Sequence, residues 1–388
     1  MMKIMLKKIL GLILAVSLFA ANTIQVSAAA PNEKLPETDI QNVMLQILSS
    51  VEFEKEYYGL GDVDFSSVTI GEKIPTYEVV DSQLKEFSRH IFPVLSNGTM
   101  ISQFFAVRDS DDGKWYVQLD DTLVKGTLDI VGDQPYAYIY DDNGIYVYCQ
   151  KEVYLLGEAE KEMAEEDWNP NGVQEQSDTF REESGNTIDA VPEENLCSVE
   201  CTKAEGSVVL NVIDYMAKLP VEAAGEPTSA YLPVQIIKQP QNTHICWAIA
   251  CTSILNYIFK STYDYQQIVN LFGQGVDTGM SAKNVLINLN THFNLNYTLG
   301  KSTPGAKKII SKLAAGYPIY GAFYNSKGDG HAVVIRGCDK NKKTFSVMNP
   351  NPNTNSYTTG NYTSDKVWSF ISSYSKNTLT LKQHLFRN

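Results

Sequence analysis

A cysteine attacks a carbonyl carbon only as its thiolate. It reaches that form near neutral pH at a helix N-terminus beside an imidazolium. Cys246 opens the apolar stretch CWAIACTSILNYIF, which reads as a buried helix, with Thr243 as a candidate cap. The unpaired amides and dipole of such a helix end favour negative charge. Of the five histidines in the chain, His331 stands in GDGHAVVIRGCD, after a glycine and at the start of an apolar, strand-like run. A lone histidine in such a place is more often a packed or surface residue. Here Asn349 ends the next strand-like run, TFSVMN, just before Pro350. Two antiparallel neighbours would bring Asn349 under His331, where its side-chain oxygen could fix the imidazole tautomer. An oxyanion formed at the attacked carbonyl needs a donor beside the backbone amide of the cysteine. Gln239 and, as an alternative, Gln241 precede Cys246 closely enough to supply it. Cys251 lies inside the apolar helix and reads as a buried small residue.

These residues need elements to hold them. Residues 36–58 carry apolar side chains at helical spacing. Residues 64–156 switch to short alternating runs rich in Tyr, Val, Ile and Phe, such as SQFFAVRD, KWYVQLD and EVYLL; IYDDNGIYVY is a hairpin signal with Asn143-Gly144 at the turn. This is an antiparallel α+β body without a recognisable catalytic motif. Residues 157–205 are acidic, poor in large apolar groups and unable to offset chain entropy, so they read as a linker. SVVLNVIDYMAKLP (207–220) could dock as helix or strand, and VEAAGEPTSA looks like an exposed connector. From Tyr231 a strand-like lead-in, YLPVQIIKQ, is followed by helices near 246–260, 264–272, 281–290 and 306–315, then by the strands PIYGAFYN, HAVVIRGCD, TFSVMNP and TLTLKQHLF. The expected fold class is α+β: a catalytic domain over 227–388 with a helical half and an antiparallel sheet half, preceded by a separate, β-rich α+β domain over 29–156 and a linker over 157–226.

Lys3, Lys7 and Lys8, the apolar run Ile9–Ala21 and the small residues near Ala28 form a secretory signal, so 1–28 would be removed and the mature protein exported. The net charge of −13 hides an asymmetry: residues 29–226 hold 13 basic and 40 acidic residues, and 227–388 hold 16 and 5. Two bodies of opposite charge in one chain are expected to attract. No Lys/Arg run in the catalytic part exceeds two, so nucleic acid is not an expected partner. The six cysteines (149, 197, 201, 246, 251 and 338) are too few and scattered for a disulfide scaffold. Cys197 and Cys201 could close a small loop, but no histidine lies near them for zinc. No metal or cofactor is expected.

The pattern Q-x6-CWAIA, GHAVVIRG, MNPNP resembles the papain-like cysteine peptidases over about 231–388, and in particular compact bacterial members such as staphopain and the bacteriocin-leader-peptidase-like group. The resemblance implies Cys246 as nucleophile, His331 as general base and acid, Asn349 as the orienting residue and Gln239 as the oxyanion glutamine. The spacing departs from papain: Gln239 is one residue too far from the cysteine and Gln241 one too near. Trp247 reads as core, and Trp368 would shield the His–Asn pair. The resemblance implies a secreted endopeptidase, a monomer made as a zymogen, acting on protein or peptide substrates. Its acidic N-terminal region would act as an intramolecular inhibitor held partly by charge, with processing in Thr202–Ala230. The same triad would also serve an acyltransferase of transglutaminase type, or persist in a catalytically inactive binding scaffold.

Overall fold

The computed structural model describes residues 36–81, 83–108, 113–159, 208–217, 227–241, 243–276, 278–325, 330–363 and 368–387. The signal segment, the cysteines at 197 and 201 and most of the linker and processing region lie outside these residues.

The fold is α+β, with two large sheets that are antiparallel except where Thr76–Glu78 pairs in parallel with Tyr138–Tyr140, a departure from the wholly antiparallel body expected over 64–156. The N-terminal region begins with helix α1 (Thr38–Phe53) and a 3-10 turn (Lys55–Tyr58). α1 buries Ile40, Met44, Ile47, Leu48 and Val51, the one-sided stripe of a helix laid on a sheet. Strands β1 (Thr69–Ile70), β2 (Thr76–Val80), β3 (Gln83–Glu86), β4 (His90–Ser96), β5 (Thr99–Arg108) and β6 (Trp115–Asp120) come next, then α2 (Val124–Val131) and β7 (Tyr136–Tyr140), β8 (Gly144–Cys149) and β9 (Glu152–Glu158). The short stretch 208–217 gives β10 (Val208–Val209) and α3 (Val212–Ala217).

The C-terminal region contributes β11 (Ser229–Tyr231), α4 (Cys246–Phe259), α5 (Tyr265–Leu271), α6 (Ala282–Phe293), β12 (Tyr297–Gly300) and α7 (Ala306–Ala314). The strands β13 (Ile319–Tyr324), β14 (Gly330–Asp339), β15 (Thr344–Met348), β16 (Thr358–Asn361), β17 (Ser369–Ile371) and β18 (Thr378–Arg387) complete it. α4 is apolar on all sides and buried from Cys246 to Asn256, packed on β13 and β14. Asp264 caps α5 in a capping box with Gln267, and Ser281 caps α6.

The sheets ignore the boundary between the two regions. One sheet runs β10-β1-β4-β5-β6-β16-β15-β14-β13-β18-β12, with β11 added on β14 and β17 on β18. β6 joins β16 through Thr359↔Leu119 and Gly360↔Gln118. α1 packs on β6, β15 and β16, so it covers the junction. A single apolar core includes Met44, Phe92 and Leu119 from the first region and Trp247, Val333 and Phe345 from the second. The separateness expected of the N-terminal region is therefore replaced by a shared sheet and core. The second sheet, β3-β2-β7-β8-β9, belongs to the N-terminal region, but its core takes Ile371 and Tyr374 from the other.

Neutral hydrogen bonds and one buried ion pair complete the junction. Ser50 Oγ and Thr344 Oγ1 are 2.9 Å apart, and Tyr58 Oη lies 2.9 Å from Ser346 Oγ. Gln118 Nε2 donates to Ile371 O and its Oε1 accepts from Ile371 N, at 2.8 and 2.9 Å. Arg336, wholly buried, meets Glu54 in a two-pronged contact, Nη1 to Oε2 at 2.7 Å and Nη2 to Oε1 at 3.1 Å.

Three local expectations change. The 141–144 hairpin turn is built by Asp141, whose Oδ1 accepts from the amides of Asn143 and Gly144, while Gly144 already begins β8. YLPVQIIKQ forms a strand only up to Tyr231; Pro233 and Pro240 lack the amides a ladder needs. Thr243 does not cap α4: the cap position is Ile245, without a side-chain bond, and Thr243 Oγ1 donates to Pro240 O.

Candidate active site

Cys246 is the first residue of α4, where helix amides lack intrahelical partners. The chain enters that helix under constraint. The amide of Gln239 donates to Pro350 O at 2.7 Å, and the amide of His244 to Val276 O at 3.2 Å. The thiol is buried and not disulfide-bonded. Its Sγ accepts from the amide of Ala332 at 3.5 Å, which holds sulfur beside the residue following His331.

His331 and Asn349 sit on neighbouring antiparallel strands. β14 pairs with β15 through Val334↔Met348, so Asn349, one residue past β15, falls level with Val333, two residues from His331 on the same face of β14. His331 Nε2 and Asn349 Oδ1 are 2.9 Å apart. The amide of Asn351 also points at Asn349 Oδ1, at 3.4 Å. A backbone amide can only donate, so the side-chain oxygen faces both groups and the imidazole carries its proton on Nε2. Nδ1 is then the nitrogen left for the thiol. The imidazole stacks on Phe370 of β17, centroids 5.7 Å apart at 28°. Phe370 thus occupies the shielding position expected of Trp368, which instead packs on Phe345 and Tyr362. Trp247 is core: it donates Nε1–H to Thr278 O at 2.8 Å and stacks on Phe272.

Both glutamines reach the cleft. Gln239 Nε2 donates to Thr243 O, and its Oε1 is buried with no partner. Gln241 is exposed at the rim. Cys251 is fully buried, and burial pushes its thiol far above the usual range. Cys149 and Cys338 are also buried and not disulfide-bonded. Among the described residues no cluster of His, Cys, Asp and Glu could hold a metal.

The cleft holding Cys246 and His331 is also lined by Gln239, Gln241, Gly279 and Asn351. Its opposite side comes from the N-terminal region, through Leu155–Ala159 of β9 and the residue after it. Nothing in the local sequence of β9 signals this, since its place depends on sheet pairing more than 200 residues away. Asp120, at the end of β6, supports the Asn349 side from the same region. It accepts from Thr122 N and Thr358 Oγ1, both at 2.7 Å. Asn349 Nδ2 makes no hydrogen bond of ordinary geometry, yet it lies near enough to favour the Asp120 carboxylate. Burial outweighs these contacts and raises the Asp120 pKa. Its neighbour Asp121 is pushed up to about 6, by burial and then by the Asp120 charge.

No described helix is long and apolar enough to cross a membrane. A comparison with curated proteins finds no match. Residues 227–377 match the family model described as Peptidase_C39 like family, which supports a cysteine peptidase-like domain in the part of the chain that carries Cys246, His331 and Asn349.

Proposed function

We propose that the protein is an exported cysteine endopeptidase made as a precursor. The observation that carries the reading is that Cys246, at a helix start, and His331 line one cleft, with Asn349 buried behind the imidazole and its oxygen fixing the proton on Nε2. In this mechanism His331 Nδ1 takes the thiol proton. The thiolate forms a C–S bond at the scissile carbonyl. The C–N bond breaks, His331 returns the proton to the leaving amine, and a thioester remains. Water, deprotonated by His331, then releases the acid and restores the thiol. The oxyanion would be met by amides of the first turn of α4 and by a glutamine. Gln241 can turn in from the rim, whereas Gln239 must first leave Thr243 O. Export through residues 1–28 and nicking within Thr202–Ala230 belong to the same proposal, as does control of the site by the acidic N-terminal region.

The test uses the full chain and its Cys246→Ala variant under reducing conditions. Fragment N-termini and hydrolysis of unfolded casein are read together with alkylation by iodoacetamide near pH 6. Self-processing and casein cleavage by the parent alone are expected, with Cys246, which lines the cleft, alkylated ahead of Cys149, Cys251 and Cys338. An inert Cys246 and no cleavage would sink the reading. An added primary amine, captured in place of water, would point to acyl transfer instead.

A further inference from the structure

β9 is an edge strand that does two things at once. It pairs with β8 alone among the described strands, from Cys149↔Glu152 to Gly144↔Glu158. Its residues Val153, Tyr154 and Leu155 are 39%, 36% and 50% exposed, an unusual apolar run for a free edge. Leu155 faces the cleft that holds Cys246. The strand is nonetheless firmly seated. Leu156 enters the core shared with Tyr374 and Ile371. Gly157 lies so close to Tyr374 that a Cβ there would sit 2.3 Å from the ring. The amide of Ala159 donates to Asn143 O at 2.7 Å. A removable plug would fill the cleft and be held loosely. β9 borders an open cleft and is anchored from behind.

We propose that the free edge of β9 is the substrate wall: an extended peptide segment with β-branched or aromatic side chains lies along it as an added strand, with Leu155 as its apolar contact. This rests on the reading of Cys246 as nucleophile. The occupant is set by continuity with the cleft. A peptide bond delivered to Cys246 belongs to an extended chain, and β9, an edge strand among the described strands, lines that cleft through Leu155–Glu158, where an extended segment can add as a further strand. The exposed apolar side chains set its chemistry, since a charged segment would gain nothing from Val153 and Leu155. The N-terminal region is then a permanent part of the working enzyme, retained after any nick in the linker.

Binding tests this apart from catalysis. The full-length Cys246→Ala protein is titrated into a fluorescein-labelled ten-residue peptide of alternating valine and threonine with a lysine at each end. Leu155→Glu is expected to raise Kd about tenfold or more, and Leu155→Gln to raise it less. Ile287→Glu, at an equally exposed site on α6, is expected to leave it unchanged. Unfolding midpoints confirm that the variants are folded, and Leu155→Gln carries the test if Leu155→Glu is not. Failure of the parent to bind, equal binding by the Leu155 variants, or tighter binding by them would overturn the proposal; the last would make β9 a plug. Leu155-dependent binding in a protein whose Cys246 form hydrolyses nothing would keep the wall and discard the peptidase.

Discussion

The two walls of the cleft are built by opposite means. On the catalytic side, Cys246, His331 and Asn349 come from adjacent elements: a helix, the strand it packs on, and that strand's partner. On the other side, β9 is placed by the far sheet, by Leu156 in a mixed core and by the fit of Gly157 against Tyr374. The first wall carries reactive groups and depends on hydrogen-bond geometry. The second carries shape, an apolar edge and the side chain of Glu158, and depends on the N-terminal region being in place. Chemistry in this molecule is local, whereas the surface that would present substrate to it is assembled from distant parts of the chain.

The comparison breaks most readily if the catalytic side can stand alone. Residues 227–388, expressed without the rest, are expected to give no cooperative unfolding transition, because they would bare one edge of β16 and the core under α1 and leave Arg336 without Glu54. A monomeric fragment that melts cooperatively and keeps a reactive Cys246 would show the dependence to be one-sided. Glu54→Gln in the full chain should cost about 3–5 kcal/mol, the penalty for one buried charge left without its partner. It is read from the denaturant midpoint, and Arg336→Met in the same chain should recover part of the loss.

Asn349→Ala sharpens the contrast from the other direction. It should lower kcat/KM about a hundredfold, or about 2.7 kcal/mol, while moving the unfolding midpoint far less than Glu54→Gln does. Equal losses in both would make Asn349 a structural residue. A smaller effect lies in pH. Asp121 titrates higher folded than unfolded, so the folded form binds its proton more tightly and stability falls as pH rises from about 4 through about 6. The fall is about 2 kcal/mol, allowing for the water the group still meets. Asp121→Asn should lessen it, as read from unfolding midpoints across that range, and the buried Asp120, also raised, keeps a fall of the same sign. Smallest of all should be the response to salt. The junction is strand pairing, apolar packing and a desolvated ion pair, so 1 M NaCl should leave linker-nicked halves together on a sizing column. Dissociation would make charge attraction a principal tie between the halves.

Legibility in the sequence divides along the same line. α4, β14 and β15 are continuous apolar runs whose ends carry the chemistry, so Cys246, His331 and Asn349 could be ordered from pattern alone. Phe370 was missed because the contact that stacks it on His331 depends on how β17 folds back onto β18. β9 and Asp120 were missed because the pairing of Gln118 with Gly360 spans most of the chain and has no local signal. The lead-in before Cys246 was misread as strand because its apolar content outweighed two prolines. The charge split, read as holding the regions together in part, carries no hint of the strand pairing of β6 with β16 that joins them.

The path of residues 208–217 has a topological consequence. β10 pairs with β1 at the far margin of the long sheet, and α3 then rests on α1, before the chain reaches β11 at β14. A cut between 218 and 226 leaves this strap on the N-terminal piece. A cut between 160 and 207 leaves it on the C-terminal piece, whose first elements would then clasp the opposite flank of their partner. The two nicked products would share every contact, yet the second would come apart only by peeling a strand and a helix from the far side. Which bond is cut thus decides whether the nicked protein is a simple pair or an interlocked one.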